Sequence, residues 1–391
     1  MGWLGVFGCI DTIIHVGVFQ GKGKWWMVRG ERGEGRGEMG RRAINRVLIV
    51  LGLSLPLLFE IRVSEMRIFF LLLVTVLFLL PVVAWADGQA LDRDMQALEQ
   101  ARDLAAMRAR MAQAEQVELD SPEAWNWRAW LATADGDWEQ AEEIIGQGLE
   151  RFPESAALEL QRTALMVRGF NDVGNLGAMR LARRVRQGFE RAVELDPEHV
   201  GARTGLILYF LNAPRIAGGG EARAEPHLEE LKKRSLASYY EMRATLAASR
   251  SESEDALTFL TKALALEETS GRRLNHGLLL QQFNDYGQAR AVFTSLVETY
   301  PTHGAAWYQI GRTSVLAEDW LEEGRQAFER FLELPAWPGD PSPAAAWWRL
   351  GQLHALADDK ASARSAFEQA LALDGEFEEA ARSLDQLTLA D

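Results

Sequence analysis

Four segments of this chain carry small and aromatic residues at the same intervals, and this periodicity limits the fold more than any other feature. In the first, Trp125 is followed by Ala129, Ala141, Ile145, Gly148 and Pro153. In the second, Gly277, Ala289, Phe293 and Pro301 keep those spacings. In the third, Trp347, Gly351, Ala363, Phe367 and Ala370 repeat them, with Gly375 in the place of proline. A fourth copy runs Trp307, Gly311, Gly324, Phe328, Phe331 and Pro335, displaced by one inserted residue. Apolar residues recur at helical spacing between these anchors, and alternating β-branched runs are scarce, so the region reads as all-α. A small residue in each helix lets the two approach closely. The large tryptophan fills the space between copies, and proline ends the second helix because it cannot continue one.

This skeleton resembles the tetratricopeptide repeat, a pair of antiparallel helices of about 34 residues. The resemblance covers roughly 122–373 and implies an α-solenoid, a right-handed superhelix of antiparallel helix pairs, because one hairpin alone cannot bury its apolar stripe. The middle departs from the pattern. Phe189, Ala192 and Pro197 match the end of a second helix whose first helix, near 156–167, is set off by an insertion containing Gly169, Gly174 and Gly177. A further pair surrounds Ala213-Pro214 and Gly218-Gly219-Gly220, with Pro226 awkwardly placed for a helix that starts at Glu221. About seven hairpins are expected in all, and 91–117 is expected to form one leading amphipathic helix over the N-terminal face.

The division that follows is 1–65 as an extension added by a start codon placed too early, 66–86 as a signal peptide, 87–121 as the leading helix, and 122–391 as the solenoid. The signal rests on Met66-Arg67, the apolar run 68–83, and Ala84-Trp85-Ala86 before Asp87. Cleavage there gives a periplasmic or secreted protein; retention of the apolar segment gives a membrane anchor. Cys9 is the only cysteine, which removes disulfide, redox CxxC and cysteine-zinc chemistry. Gly35, Gly37 and Gly40 match a dinucleotide fingerprint without its strand and helix, a chance match.

Residues 1–86 hold ten basic and six acidic groups, leaving 32 and 50 for 87–391, a net of −18. That charge repels phosphate backbones, so no nucleic acid partner is expected. Neither a zinc-peptidase motif, a P-loop nor a nucleophile elbow occurs, and the scattered histidines offer no ligand pair. The expectation is a scaffold that is not an enzyme, holds no cofactor and no metal, and binds a protein or peptide partner, in cell-envelope assembly.

In tetratricopeptide proteins the partner lies in the groove lined by the first helix of each pair. Carried over, the residue after each tryptophan anchor and the one four further on face that groove: Asn126 and Trp130, Tyr308 and Arg312, Trp348 and Gln352. No lysine joins Asn126 and Arg312, so a neutral or basic peptide is favoured over a carboxylate. The same aromatics could instead pack between helices. Two rival readings remain: a small-ligand carrier or envelope enzyme near 214–223, where three glycines could form an anion-binding nest, and a membrane-tethered assembly factor.

Overall fold

In the computed structural model, residues 87–389 are described, and from Gly88 onward they belong to one compact unit. The signal-peptide and extension assignments lie outside the described residues. Seventeen α-helices and no strands occur among the described residues. In chain order they are α1 (87–101), α2 (Leu104–Gln116), α3 (Pro122–Ala134), α4 (Trp138–Arg151), α5 (Ala156–Arg168), α6 (Asn175–Leu195), α7 (Val200–Asn212), α8 (Glu221–Arg234), α9 (Leu236–Ser249), α10 (Ser253–Leu266), α11 (Ser270–Gln282), α12 (Tyr286–Thr299), α13 (Gly304–Ala317), α14 (Leu321–Glu333), α15 (Pro343–Leu356), α16 (Lys360–Leu373) and α17 (Glu378–Leu389). None of the described helices is long and apolar enough to cross a membrane.

The helices pair in order, giving seven hairpins between α3 and α16. Successive first helices such as α3 and α5, or α13 and α15, touch one another, so they line the inner face of the curve. Small residues in the first helices are explained by the rings they face. A methyl added at Gly277 would lie 2.3 Å from the Phe293 ring, at Gly311 2.6 Å from Phe328, and at Gly351 2.5 Å from Phe367.

The leading segment is a hairpin, α1 and α2, not one helix. The break has the chemistry of the other turns: Arg102 is left-handed (φ 53°) and Asp103 accepts from the Ala106 N–H to cap α2. The same left-handed residue followed by a capping aspartate opens α4 (Gly136, Asp137), α12 (Asn284, Asp285) and α16 (Asp358, Asp359). The α1–α2 hairpin is therefore built like a repeat, although it has no tryptophan signature. Helix α8 starts at Glu221 and continues past Pro226.

Two of the scattered histidines cap first helices. His199 Nδ1 accepts from the Ala202 N–H and His303 Nδ1 from the Ala306 N–H, each at 3.3 Å. A cap of this kind needs a neutral ring. Burial supplies it, pushing His199 down and His303 down to about 3.

Candidate partner-binding face

The N-terminal end of the inner face is filled by the chain itself. Trp130 of α3 is 3% exposed, with its ring 5.8 Å from Trp127 and 5.3 Å from Trp337. Trp337 sits in the 334–342 connection between α14 and α15, which Pro335, Pro338 and Pro341 keep out of helix. Asp340 of that connection takes a two-pronged ion pair from Arg102, at 2.8 and 2.6 Å, and the Arg102 guanidinium also lies 5.0 Å over the Trp337 ring. Gly304 makes room, since a methyl there would lie 2.4 Å from an Asp340 carboxylate oxygen. Nearby, the Thr302 hydroxyl donates to the Ala101 carbonyl. The α1–α2 hairpin is thus joined to the connections on either side of the sixth hairpin counted from α3, across as many as 238 residues of sequence.

Beneath this junction, two indole N–H groups donate to carboxylates of α1: Trp127 to Asp92 at 2.9 Å and Trp130 to Glu99. Desolvation is the dominant influence on both carboxyls, raising Asp92 and pushing Glu99 up to about 8 despite the nearby Arg102 charge. Trp130 therefore belongs to the core and not to an open groove, because α1 and the 334–342 connection cover it.

Tyr308 is likewise a core residue, 7% exposed, edge-on to Phe328 and Phe331 at 5.5 and 5.6 Å. Trp348 is taken by the last helix: its indole N–H donates to Ser383 at 3.0 Å and its ring meets Phe377 at 5.5 Å. Of the three aromatics expected in the groove, Trp130 and Tyr308 are buried in the fold, while Trp348 stays half-buried. Asn126 is half-buried on α3, one turn from Trp130.

The C-terminal end of the inner face is polar. Arg312, half-buried on α13, donates to Gln281 of α11 at 2.7 Å and to Gln309 at 3.4 Å. Gln281 in turn donates to Thr313 at 2.6 Å. On α15, Arg349 donates to Gln352 at 3.0 Å and lies 4.2 Å over the Trp348 ring. Burial first, and the neighbouring Arg349 charge second, lower Arg312 from its ordinary value. Among the described residues neither arginine has a carboxylate partner, and the buried Arg349 Nε has no hydrogen bond. The alignment named Arg312 and Gln352 but missed Arg349. An arginine directly beside the Trp347-Trp348 anchor was the available signal.

The three-glycine loop has a different role from an anion nest. The N–H groups of Ala217, Gly218, Gly219 and Gly220 donate to Pro214, Arg215, Pro214 and Phe210 carbonyls, so each is already used. The glycines are required by backbone: Gly218 and Gly220 have φ of 96° and 131°, and a methyl at Gly219 would lie 1.8 Å from the Ala213 carbonyl oxygen. The loop holds Tyr209, whose hydroxyl donates to the Ala217 carbonyl at 2.6 Å.

Comparison with known proteins agrees with this architecture. A tetratricopeptide repeat family model matches residues 274–341 and 317–376. Human IFIT1, solved as a dimer with PPP-AAAA, superposes with a TM-score of 0.53 at 17% identity, covering 76% of this chain and 72% of that one. The Cut9–Hcn1 hetero-tetramer of the APC/C gives 0.50 at 13% identity, covering 76% and 55%. No curated protein matches the sequence. These likenesses establish the fold. The chain carries tetratricopeptide repeats over residues 274–376, within an all-α helical-repeat superhelix.

Proposed function

We propose that this protein is an exported, non-enzymatic scaffold that captures a protein or peptide partner on the C-terminal half of its inner face, in cell-envelope assembly. One observation carries the reading: Arg312 and Arg349 stand on adjacent first helices with only amide and aromatic partners. Two neighbouring guanidinium groups, partly desolvated, call for an oxygen-rich acceptor, and a peptide backbone or carboxylate supplies one. This corrects the preference for a neutral or basic peptide, since a cationic segment would meet like charge here. The net of −18 over 87–391 argues against RNA in the same place.

Export rests on the pattern Met66-Arg67, apolar run, Ala84-Trp85-Ala86. N-terminal sequencing of the protein from its host is expected to begin at Asp87; a start at Met1 or Met66 would favour the membrane-tethered reading. Peptides selected from a displayed library on the full chain are expected to lose binding to the Arg312→Ala/Arg349→Ala variant. Retention of the whole selected set by that variant would place capture elsewhere.

A further inference from the structure

Helix α6 differs from every other second helix in length and in charge. It spans 21 residues where the others have 13 or 14. At about 100° per residue, Leu176, Arg180, Arg183, Arg184, Gln187 and Arg191 fall within one stripe, and all six are exposed. Among the described residues Arg180, Arg183 and Arg184 have no carboxylate partner, and Arg191 has only a 3.5 Å contact with the exposed Glu194. This is a cationic stripe on a strongly acidic molecule.

The stripe borders a wedge. Between α4, α5 and α6 lies a cavity of about 510 Å³, walled by Glu142 and Gly146 of α4 and by Arg184 and Arg191 of α6. Its floor includes Leu165 and Met166 of α5, with Arg162 already paired to Glu159 at 2.5 Å. Gly188 on the α6 side is a packing requirement, because a methyl there would lie 2.1 Å from the Thr163 hydroxyl. Gly146 is not: a methyl there meets nothing within 4 Å, so its missing side chain simply keeps the wedge open. Beside the stripe, Arg186 of α6 reaches the three-glycine loop and pairs with Glu190 at 3.4 Å, and Ile216 of that loop is 72% exposed.

We propose that the α6 stripe and the α4–α5–α6 wedge form a second docking surface, distinct from the inner face, for an acidic segment of a partner protein. The carboxylates of that segment pair with Arg180, Arg183 and Arg184, and one of its apolar side chains enters the wedge against Leu165 and Met166. Charge complementarity selects the partner. A narrow peptide lying along the stripe meets one α4 carboxylate, Glu142, at the wedge, whereas an anionic bilayer would be pressed against Glu139, Glu142 and Glu143 of α4 together. The stripe from Leu176 to Arg191 is roughly 22 Å long, room for about seven extended residues or four helical turns.

The test uses the full chain and a fluorescein-labelled peptide of repeated Glu-Glu-Leu, read by anisotropy, with a Lys-Lys-Leu peptide and phosphatidylglycerol vesicles beside it. The expected result is saturable binding of the acidic peptide alone, weakened by salt. Arg180→Glu/Arg183→Glu/Arg184→Glu should lower its affinity by at least about tenfold. Gly146→Leu, which fills the wedge without a clash, should lower it less. Both variants should keep the helical circular dichroism and melting temperature, since the altered side chains are exposed or enter open space. Arg312→Ala/Arg349→Ala removes any share of the peptide held by the inner face and should lower the affinity by no more than about twofold, which separates this surface from the inner face. The proposal is overturned if charge reversal leaves peptide affinity intact, if the inner-face variant abolishes it, or if vesicles bind and the peptide does not.

Discussion

At the N-terminal end of the inner face, Trp130 of α3 lies against Trp337, and Arg102 clasps Asp340. At the C-terminal end, Arg312 of α13 reaches only glutamines, and Arg349 of α15 holds Gln352 and an indole. Both ends are made of the same kind of helix pair. They differ in what the chain supplies to cover them: a proline-rich connection over one, and nothing with a complementary charge among the described residues over the other. A repeat surface becomes core or site according to whether another part of the same chain reaches it.

The largest break in this comparison is expected from Trp130→Ala, which removes a buried indole from between Trp127, Trp337 and Glu99. The expected cost is about 3–5 kcal/mol in denaturant unfolding, with the α1–α2 hairpin losing protection from hydrogen exchange. Arg102→Ala leaves the Asp340 carboxylate largely buried without its counter-charge and should cost about 3 kcal/mol. Arg312→Ala, by contrast, should change stability by no more than about 1 kcal/mol while weakening partner capture. If Arg312→Ala unfolded the protein and Arg102→Ala did not, the assignment of the two ends would be reversed.

Acidity sharpens the same contrast, because the titrating groups gather around Arg102. Glu99, raised from 4.5 to about 8, binds more protons in the native state, so its contribution to stability falls as pH rises through that window. His303, lowered from 6.5 to about 3, binds fewer, so its contribution rises as pH rises from 3 to 6.5. The denaturation midpoint should therefore climb from acid, flatten where the windows overlap, and decline above pH 6.5. Glu99→Gln should remove the alkaline decline and leave the acid limb. A midpoint that kept rising to pH 8 would contradict the assignment of Glu99.

The repeat was legible in the sequence because its constraint is local. Gly277 and Gly351 each face a phenylalanine 16 residues later, and Gly311 one 17 residues later, and any larger side chain would strike the ring. The inserted residue of the fourth copy is visible as a turn in which both Glu318 and Trp320 are left-handed. What escaped was long-range. Whether Trp130 is open or covered depends on angles summed over six hairpins, and no spacing near Trp130 records that Trp337 will arrive there. Tyr308 is buried for a related reason: one helical face serves the groove or the neighbouring helices, and only the packing decides. The α1–α2 hairpin lacked the tryptophan marker, although the Arg102-Asp103 turn chemistry was present, and Arg349 stood beside that marker but at neither of the two positions carried over from it.

The account turns on the inner face being closed at one end by the chain's own 334–342 connection. A double-mutant cycle on Trp130→Ala and Trp337→Ala tests this directly by equilibrium unfolding. The expected coupling is about 1 kcal/mol, the size of an edge-to-face aromatic pair beyond its buried area. Strictly additive effects of the two substitutions would mean that the rings do not meet in solution and that the N-terminal half of the inner face is open.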